Sequence, residues 1–212
     1  MSSATNNDPK SIEDRSFRII DQEVPEPRPY SGDKWQVVRR MIHASADFDL
    51  LSLVQFQGDA IQSGVTALQN GCSIVTDTQM VKAGITSTRM DKLGCQIKCF
   101  VNDQEVVQEA KQQNQTRSKL AVEKAIPYLK GGIFVVGNAP TALYSLLEII
   151  NRENLQPALV VAMPVGFVEA VESKDEILKS DLPCIAVKGR KGGSSLAAAC
   201  INSLAEIALN NK

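Results

Sequence analysis

Length, composition and charge indicate a globular chain without a marked charge bias. The chain has 212 residues, 43% of them hydrophobic, which is enough to fill the core of one compact domain. Its 23 basic and 24 acidic residues nearly cancel, so neither nucleic acid nor an anionic membrane is expected as the main partner. No apolar run approaches the roughly 20 residues needed to span a bilayer.

The N-terminal part of the chain is polar, and regular structure is expected only after a proline-rich segment. We predict that residues 1–10 are disordered and that residues 11–212 form a single domain. The segment "VPEPRPYSG" (Val24 to Gly32) predicts a loop, because proline cannot continue a helix. The first residues lack the charged head and apolar core of a signal peptide, so we expect a cytoplasmic protein.

Cysteine and histidine are too sparse for a metal site. The five cysteines are odd in number and form no CxxC pair, and His43 is the single histidine of the chain. A zinc site needs clustered thiolates or imidazoles, and neither occurs at ligand spacing. We therefore expect reduced core cysteines and no bound metal.

Short apolar segments alternate with segments of helical spacing in the remainder of the chain. The segments that predict buried strands are "SIVTD" from Ser73, "QIKCFV" from Gln96, "GIFVVG" from Gly132, "ALVVAMPV" from Ala158 and "PCIAVKG" from Pro183. The segments that predict helices are Lys34 to Ser45, Pro140 to Asn151, Glu169 to Lys179 and Ser195 to Leu209. This alternation predicts an α/β fold: a three-layer α/β/α sandwich with a mainly parallel, five-stranded sheet in the flavodoxin-like order 2-1-3-4-5.

Glycine and small polar residues follow the predicted strands, where parallel sheets bind ligands. The turn "GNAPTAL" contains Asn138 and begins a helix with free N–H groups. The segment Gly189 to Ser195 places glycines, cations and hydroxyls at another helix N-terminus, which favours carboxylates or phosphates. Neither GxGxxG nor GxxxxGK[ST] occurs, so no nucleotide cofactor is indicated. Tight turns alone would also explain these glycines.

The segment "VVRRMIHASADFD" places His43 on the flank of a helix. Trp35, Val38 and Ile42 share one apolar stripe, and Arg39, Arg40 and His43 lie beside it. A partly buried histidine that interacts with the helix C-terminus would explain the position without any catalytic role. The local pattern therefore leaves both interpretations of His43 open.

A set of motifs in a shared order closely resembles the precorrin-8X methylmutase family of vitamin B12 biosynthesis. The match runs from about residue 11 to the end of the chain. The motifs are "RSF.II" from Arg15, "VRRMIHASADFD" around His43, "TDTQMVKAGIT" from Thr76, "TRSKLA" from Thr116, "VGNAPTAL" from Val136, "MPVGFVEAVESKD" from Met163 and "GRKGGSSLAAA" from Gly189.

The resemblance implies an intramolecular methyl shift from C11 to C12 of a corrinoid ring. The substrate would be precorrin-8X, giving hydrogenobyrinate, or its cobalt-containing counterpart, giving cobyrinate. The methyl group is already on the substrate, so neither a methyl donor nor another cofactor is expected. The family's catalytic histidine falls on His43, where it would protonate the ring C nitrogen. The resemblance also implies a homodimer, which the nearly all-apolar Ser195 to Leu209 helix would favour by offering surface to a partner.

The substrate's acetate and propionate groups suggest which polar residues bind it. By resemblance, Ser16 and Arg40 contact the substrate. Thr86, Arg117, Asn138 and Arg190 are further candidates, because they are cations or hydrogen-bond donors in the quoted motifs. Helix caps and surface ion pairs are the alternative roles for each of them.

Two other classes of protein are compatible with such a sheet. A different α/β enzyme could bind a nucleotide at the strand ends, although the phosphate loop is missing. A noncatalytic tetrapyrrole carrier or sensor would need the pocket but not the proton of His43. The sequence does not distinguish a metal-free substrate from a cobalt-containing one, because the macrocycle itself chelates the metal.

Overall fold

The computed structural model describes the backbone of residues 9–211 and the side chains of residues 12–211. The strands in this range are β1 (Val54–Gln57), β2 (Ser73–Thr76), β3 (Gln96–Lys98), β4 (Ile133–Val136), β5 (Leu159–Ala162) and β6 (Cys184–Val187). The helices are α1 (Pro9–Glu23), α2 (Gly32–Ser45), α3 (Leu50–Leu53), α4 (Ala60–Gln69), α5 (Gln79–Gly84), α6 (Ser87–Leu93), α7 (Gln104–Gln112), α8 (Arg117–Leu129), α9 (Pro140–Glu153), α10 (Ala170–Ile177) and α11 (Ser194–Asn210).

The sheet confirms the strand order expected from the sequence and adds one strand. Within residues 9–211 the order is β1-β6-β5-β4-β2-β3, so the five predicted strands follow the flavodoxin-like order 2-1-3-4-5 and are parallel. The prediction of five strands is corrected to six, because β1 pairs antiparallel with β6. Its sequence, VQFQ, has the period-2 alternation of a half-buried strand but is too short and too polar to stand out.

Helices cover both faces of the sheet, which confirms the three-layer sandwich. Alternate residues of each central strand point to opposite faces. On one face, side chains such as Ile133 and Leu159 pack in a core with α2, α4, α5, α6 and α11. On the other face, Phe134 and Val160 pack in a second core with α8, α9 and α10.

Helix α11 is buried by its own chain except along one stripe, which includes Ser195, Asn202 and Glu206. It packs against α2, α4, α5 and α6 as well as against the strands. Its small residues, such as Ala197 and Ala205, are fully buried and allow this close approach. The apolar character of α11 is therefore explained within one chain, and it does not by itself indicate a partner subunit.

Helix α2 lies close to its expected position, whereas α1 was not predicted from the sequence. Helix α2 begins at Gly32 and ends at Ser45, with Trp35, Val38 and Ile42 buried as predicted. The expected disorder of residues 1–10 falls mostly outside the described residues, and α1 begins at Pro9. No helix in the described part of the chain is long and apolar enough to cross a membrane.

Candidate active site

Phe17 joins α1 to α2 and holds His43 at the protein surface. The ring of His43 meets the ring of Phe17 edge-on, with centroids 5.3 Å apart. The guanidinium groups of Arg39 and Arg40 lie over the same phenyl ring, at 4.6 and 5.2 Å. Edge-to-face and cation–π contacts of this kind orient their partners. His43 is exposed, so its imidazole is fixed by one aromatic neighbour and remains accessible to a ligand.

Arg40 is buried rather than exposed on the helix flank, because carboxylates from two other helices bind it. Its side chain donates to Glu13 of α1 at 2.7 Å and also to Glu206 of α11. Arg89 of α6 lies 3.7 Å from the same Glu206 oxygen. Glu206 therefore holds Arg40 and Arg89 side by side. A substrate carboxylate can bind Arg40 only beside these carboxylates or by displacing one of them.

Thr86 and Ser16 differ in whether the described contacts link them to this cluster. Thr86 accepts a hydrogen bond from Arg89 at 3.4 Å, and its backbone N–H donates to Asn202 of α11 at 2.8 Å. Thr86 is thus linked to Arg40 through Arg89 and Glu206. Ser16 precedes Phe17 on α1, but its hydroxyl donates to the carbonyl of Ile12 at 3.0 Å. That bond leaves the oxygen of Ser16 free to accept a further hydrogen bond.

The turn that contains Asn138 is organised by a buried carboxylate that directly follows β2. Asp77 accepts hydrogen bonds from the backbone N–H groups of Gly137, Asn138 and Ala139 at 2.9, 2.8 and 2.8 Å. Burial raises the pKa of Asp77, and the three N–H donors oppose that shift. The side chain of Asn138 is exposed at the carboxyl end of the sheet, where it can reach a ligand.

The loops after β5 and β6 form the neighbouring part of this end of the sheet. Arg190 lies over the ring of Phe167 at 5.3 Å, and Phe167 is 84% exposed. Lys191 binds Asp47 at 2.7 Å and Asp49 at 2.6 Å, and both aspartates closely follow α2. The Lys191 ammonium lowers the pKa of Asp47. The Lys191 contacts connect the loop that contains Arg190 to the end of α2 where His43 lies.

Arg117 is the candidate with the weakest connection to the others. It begins α8, is exposed, and donates to Asn102 at 3.4 Å. Asn102 follows β3, the edge strand farthest from β6. The described contacts join Arg40, His43 and Thr86 in one cluster and place Asn138 and Arg190 at the carboxyl end of the sheet. Ser16 lies next to this cluster on α1, where it precedes Phe17, but its described hydrogen bond stays within α1. Arg117 lies apart, beside the edge strand.

Sequence reasoning missed two residues that organise the site: Asp77 and Glu206. Asp77 gave a usable signal, since a carboxylate that directly follows a buried strand is placed where ligands and turns meet. The sequence contains no comparable signal for Glu206, because its partners lie on other helices. Among residues 12–211, no group of three or more His, Cys, Asp or Glu side chains could hold a metal ion.

An open cleft at the opposite end of the sheet contains none of the predicted site residues. It has a volume of about 1040 Å³ and lies beside Cys72, Gly131, Ala158 and Pro183, which precede strands. Its volume suits a ligand, but parallel sheets bind ligands beyond the carboxyl ends of their strands. We therefore assign the candidate active site to the carboxyl end and the adjoining α1–α2 surface.

Replacing Arg40 or Arg117 with alanine should separate structural from binding roles. Arg40→Ala should lower the free energy of unfolding by about 2 kcal/mol, because two partly exposed carboxylates lose a buried partner. Arg117→Ala should change it by less than about 0.5 kcal/mol. Urea unfolding measures both values. Both variants should also bind the coloured corrinoid product more weakly, and wild-type affinity in both would show that neither clamps a carboxylate.

The fold and the site define an α/β protein with an exposed histidine and several arginines, side chains that are chemically suited to an anionic ligand. Comparison with known proteins gives a more specific answer. The sequence profile of the family described as CbiC: Precorrin-8X methylmutase matches residues 11–207. The chain therefore belongs to the precorrin-8X methylmutase family.

Individual relatives are similar over nearly their whole length. A cobalt-precorrin-8 methylmutase of Leptospira interrogans is 43% identical, with 92% of each chain covered. One of Priestia megaterium, with the same name, is also 43% identical, over 94% of this chain and 88% of the relative. The crystal structure of a precorrin-8x methyl mutase from Thermus thermophilus superposes with a TM-score of 0.89 at 41% identity, covering 95% of this chain and 97% of the other.

Proposed function

We propose that this chain catalyses the migration of a methyl group from C11 to C12 of a corrinoid of the precorrin-8 class, an isomerisation. The observation that carries the proposal is His43, the single histidine of the chain, which is exposed and held edge-on by Phe17 beside two arginines. Its position within "VRRMIHASADFD" matches the family motif. An accessible imidazole can give a proton to a ring nitrogen and take it back after the shift.

The chemistry of the substrate determines which steps of the reaction the protein has to provide. The macrocycle supplies the conjugated system through which the methyl group moves, so the protein has to orient the ring and transfer one proton. We assign proton transfer to His43 and carboxylate binding to Ser16, Arg40, Thr86, Arg117, Asn138 and Arg190. Because the methyl group is already on the substrate, the reaction requires no methyl donor.

Turnover without a methyl donor tests this function directly. The purified chain should convert precorrin-8X to hydrogenobyrinate, or cobalt-precorrin-8 to cobyrinate, with no change in mass. A ¹³C label in the migrating methyl group would follow its transfer from C11 to C12 by NMR. Both substrates should be compared, beginning with the cobalt form because the two relatives at 43% identity are named for it. Tight binding of both without conversion would indicate a carrier, and a requirement for a nucleotide would indicate a different enzyme.

We further propose that the active protein is a homodimer. Helix α11 does not support this, since its own chain buries nearly all of its apolar side chains. Support comes from exposed apolar side chains near the carboxyl end of the sheet, where Met80, Phe167 and Val168 are 73%, 84% and 79% exposed. Light scattering at micromolar concentration should give twice the chain mass. A fully active monomer would exclude the dimer. A cytoplasmic location stays a prediction.

A further inference from the structure

Lys174 of α10 is a fully buried ammonium group beneath the candidate site. Its side chain is 0% exposed, and its Nζ donates to the carbonyl oxygens of Pro164 at 3.0 Å and Lys191 at 2.9 Å. Burial lowers the pKa of Lys174 to about 8, against a small opposing effect of the neighbouring Asp175 carboxylate. An apolar side chain would fill this space without that desolvation penalty, but it would leave both carbonyl groups without this donor.

The two carbonyl groups belong to different loops, which are packed together without spare room. Pro164 follows β5, and Lys191 follows β6. The backbone N–H of Gly166 donates to the carbonyl oxygen of Arg190 at 3.1 Å, and the backbone N–H of Gly193 donates to the carbonyl oxygen of Met163 at 2.8 Å. A Cβ atom at Gly192 would lie 2.3 Å from the carbonyl oxygen of Met163. The two loops are therefore held together as one unit, and Lys174 donates a hydrogen bond to a carbonyl group of each loop.

This two-loop unit carries side chains that face the site. Arg190 and the exposed Phe167 contact each other at its surface. The side chain of Lys191 reaches outward to Asp47 and Asp49, which follow the helix that contains His43. A shift of the unit would therefore displace Arg190 and loosen its connection to the His43 segment.

We propose that Lys174 is a positioning residue of the active site, one whose ammonium group locks the loops after β5 and β6 so that Arg190 faces the corrinoid's carboxylates. Lys174 does not touch the substrate; it acts through Arg190. The role of Arg190 toward the corrinoid rests on the proposed function, whereas the locking of the loops does not.

A double-mutant cycle tests whether Lys174 acts through Arg190. Lys174→Met and Arg190→Ala should each weaken product binding by about tenfold, with a smaller effect on the single-turnover rate at saturation. The double variant should bind no more weakly than Arg190→Ala alone. Lys179→Met is the matched control, since Lys179 is exposed just beyond the same helix, and it should bind like wild type. Additive losses in the double variant would overturn the proposal.

Amide hydrogen exchange in the wild-type chain tests the lock without ligand or mutation. Between about pH 7 and pH 9.5 Lys174 loses its proton, and its hydrogen bonds lose their charge assistance. The exchange rates of the Gly166 and Gly193 amides should then rise more steeply with pH than the intrinsic exchange rate of an amide does. The amide of Ala158, which donates to Gly132 elsewhere in the fold, should follow the intrinsic dependence. Equal behaviour of all three amides would overturn the proposal even if the chain proved inactive on corrinoids.

Discussion

Replacing His43 with alanine should slow methyl migration by about 10²- to 10⁴-fold, the usual contribution of a general acid. No other histidine is present to take over proton transfer. The fold should persist, because the exposed His43 makes one edge-on contact with Phe17, which is worth about 1 kcal/mol. Single-turnover rates measure the first effect, and thermal unfolding measures the second. Product affinity should stay close to that of wild type.

Two further variants make the His43 experiment decisive. His43→Asn keeps a polar, uncharged side chain but cannot deliver a proton, so it should be as slow as His43→Ala. Lys34→Ala, in the first turn of the same helix, should retain the wild-type rate. A wild-type rate in His43→Ala would show that the imidazole is a packing residue. Loss of rate together with loss of product binding would assign His43 to substrate recognition.

The parallel part of the fold was predictable because its signal is local. Strands such as β4 (IFVV) and β5 (LVVA) are buried on both faces and therefore form continuous apolar runs that are rich in β-branched residues. Their alternation with amphipathic helices leaves few possible topologies. Strand β1 was missed for the opposite reason. It has four residues, two of them glutamine, and only its pairing with β6 defines it.

The candidate site was predictable only in part, because its key pairings connect distant segments. The helical pattern placed Arg40 on the flank of α2, which suggests an exposed side chain. In the structure Glu206 of α11 and Glu13 of α1 bury it. No periodicity within α2 contains that information. Lys174 was hidden in the same way, since its partners are backbone carbonyl groups that side-chain identity does not encode.

The family resemblance and the structure give different information about His43. The motif order identified His43 as the catalytic candidate, which helical spacing alone could not do. The structure then supplied its environment: a phenyl ring on one side and open surface on the other. An imidazole enclosed by the core could not reach a macrocycle. The exposure of His43 is therefore the structural observation that supports the proton transfer proposed from the motif.

Replacing Asp77 with asparagine should lower the free energy of unfolding by about 2 kcal/mol or more and weaken substrate binding. The two oxygens of Asp77 accept three backbone N–H bonds from the turn after β4. Asparagine has one acceptor oxygen, and its NH₂ group would face an N–H donor. Each buried donor left without an acceptor costs about 1–3 kcal/mol. Removing a buried charge offsets part of this loss.

The effect of Asp77→Asn on function follows from the position of the turn. Gly137 leaves no room for adjustment, since a Cβ atom there would lie 2.8 Å from Cα of Ser194 at the start of α11. A loosened turn therefore moves Asn138 relative to the loop that contains Arg190. Urea unfolding and titration with the corrinoid product would measure the two losses, with Asp91→Asn on the exposed face of α6 as the matched control. An Asp77→Asn variant as stable as wild type would show that the three N–H groups find other acceptors, and the turn would then owe its shape to packing alone.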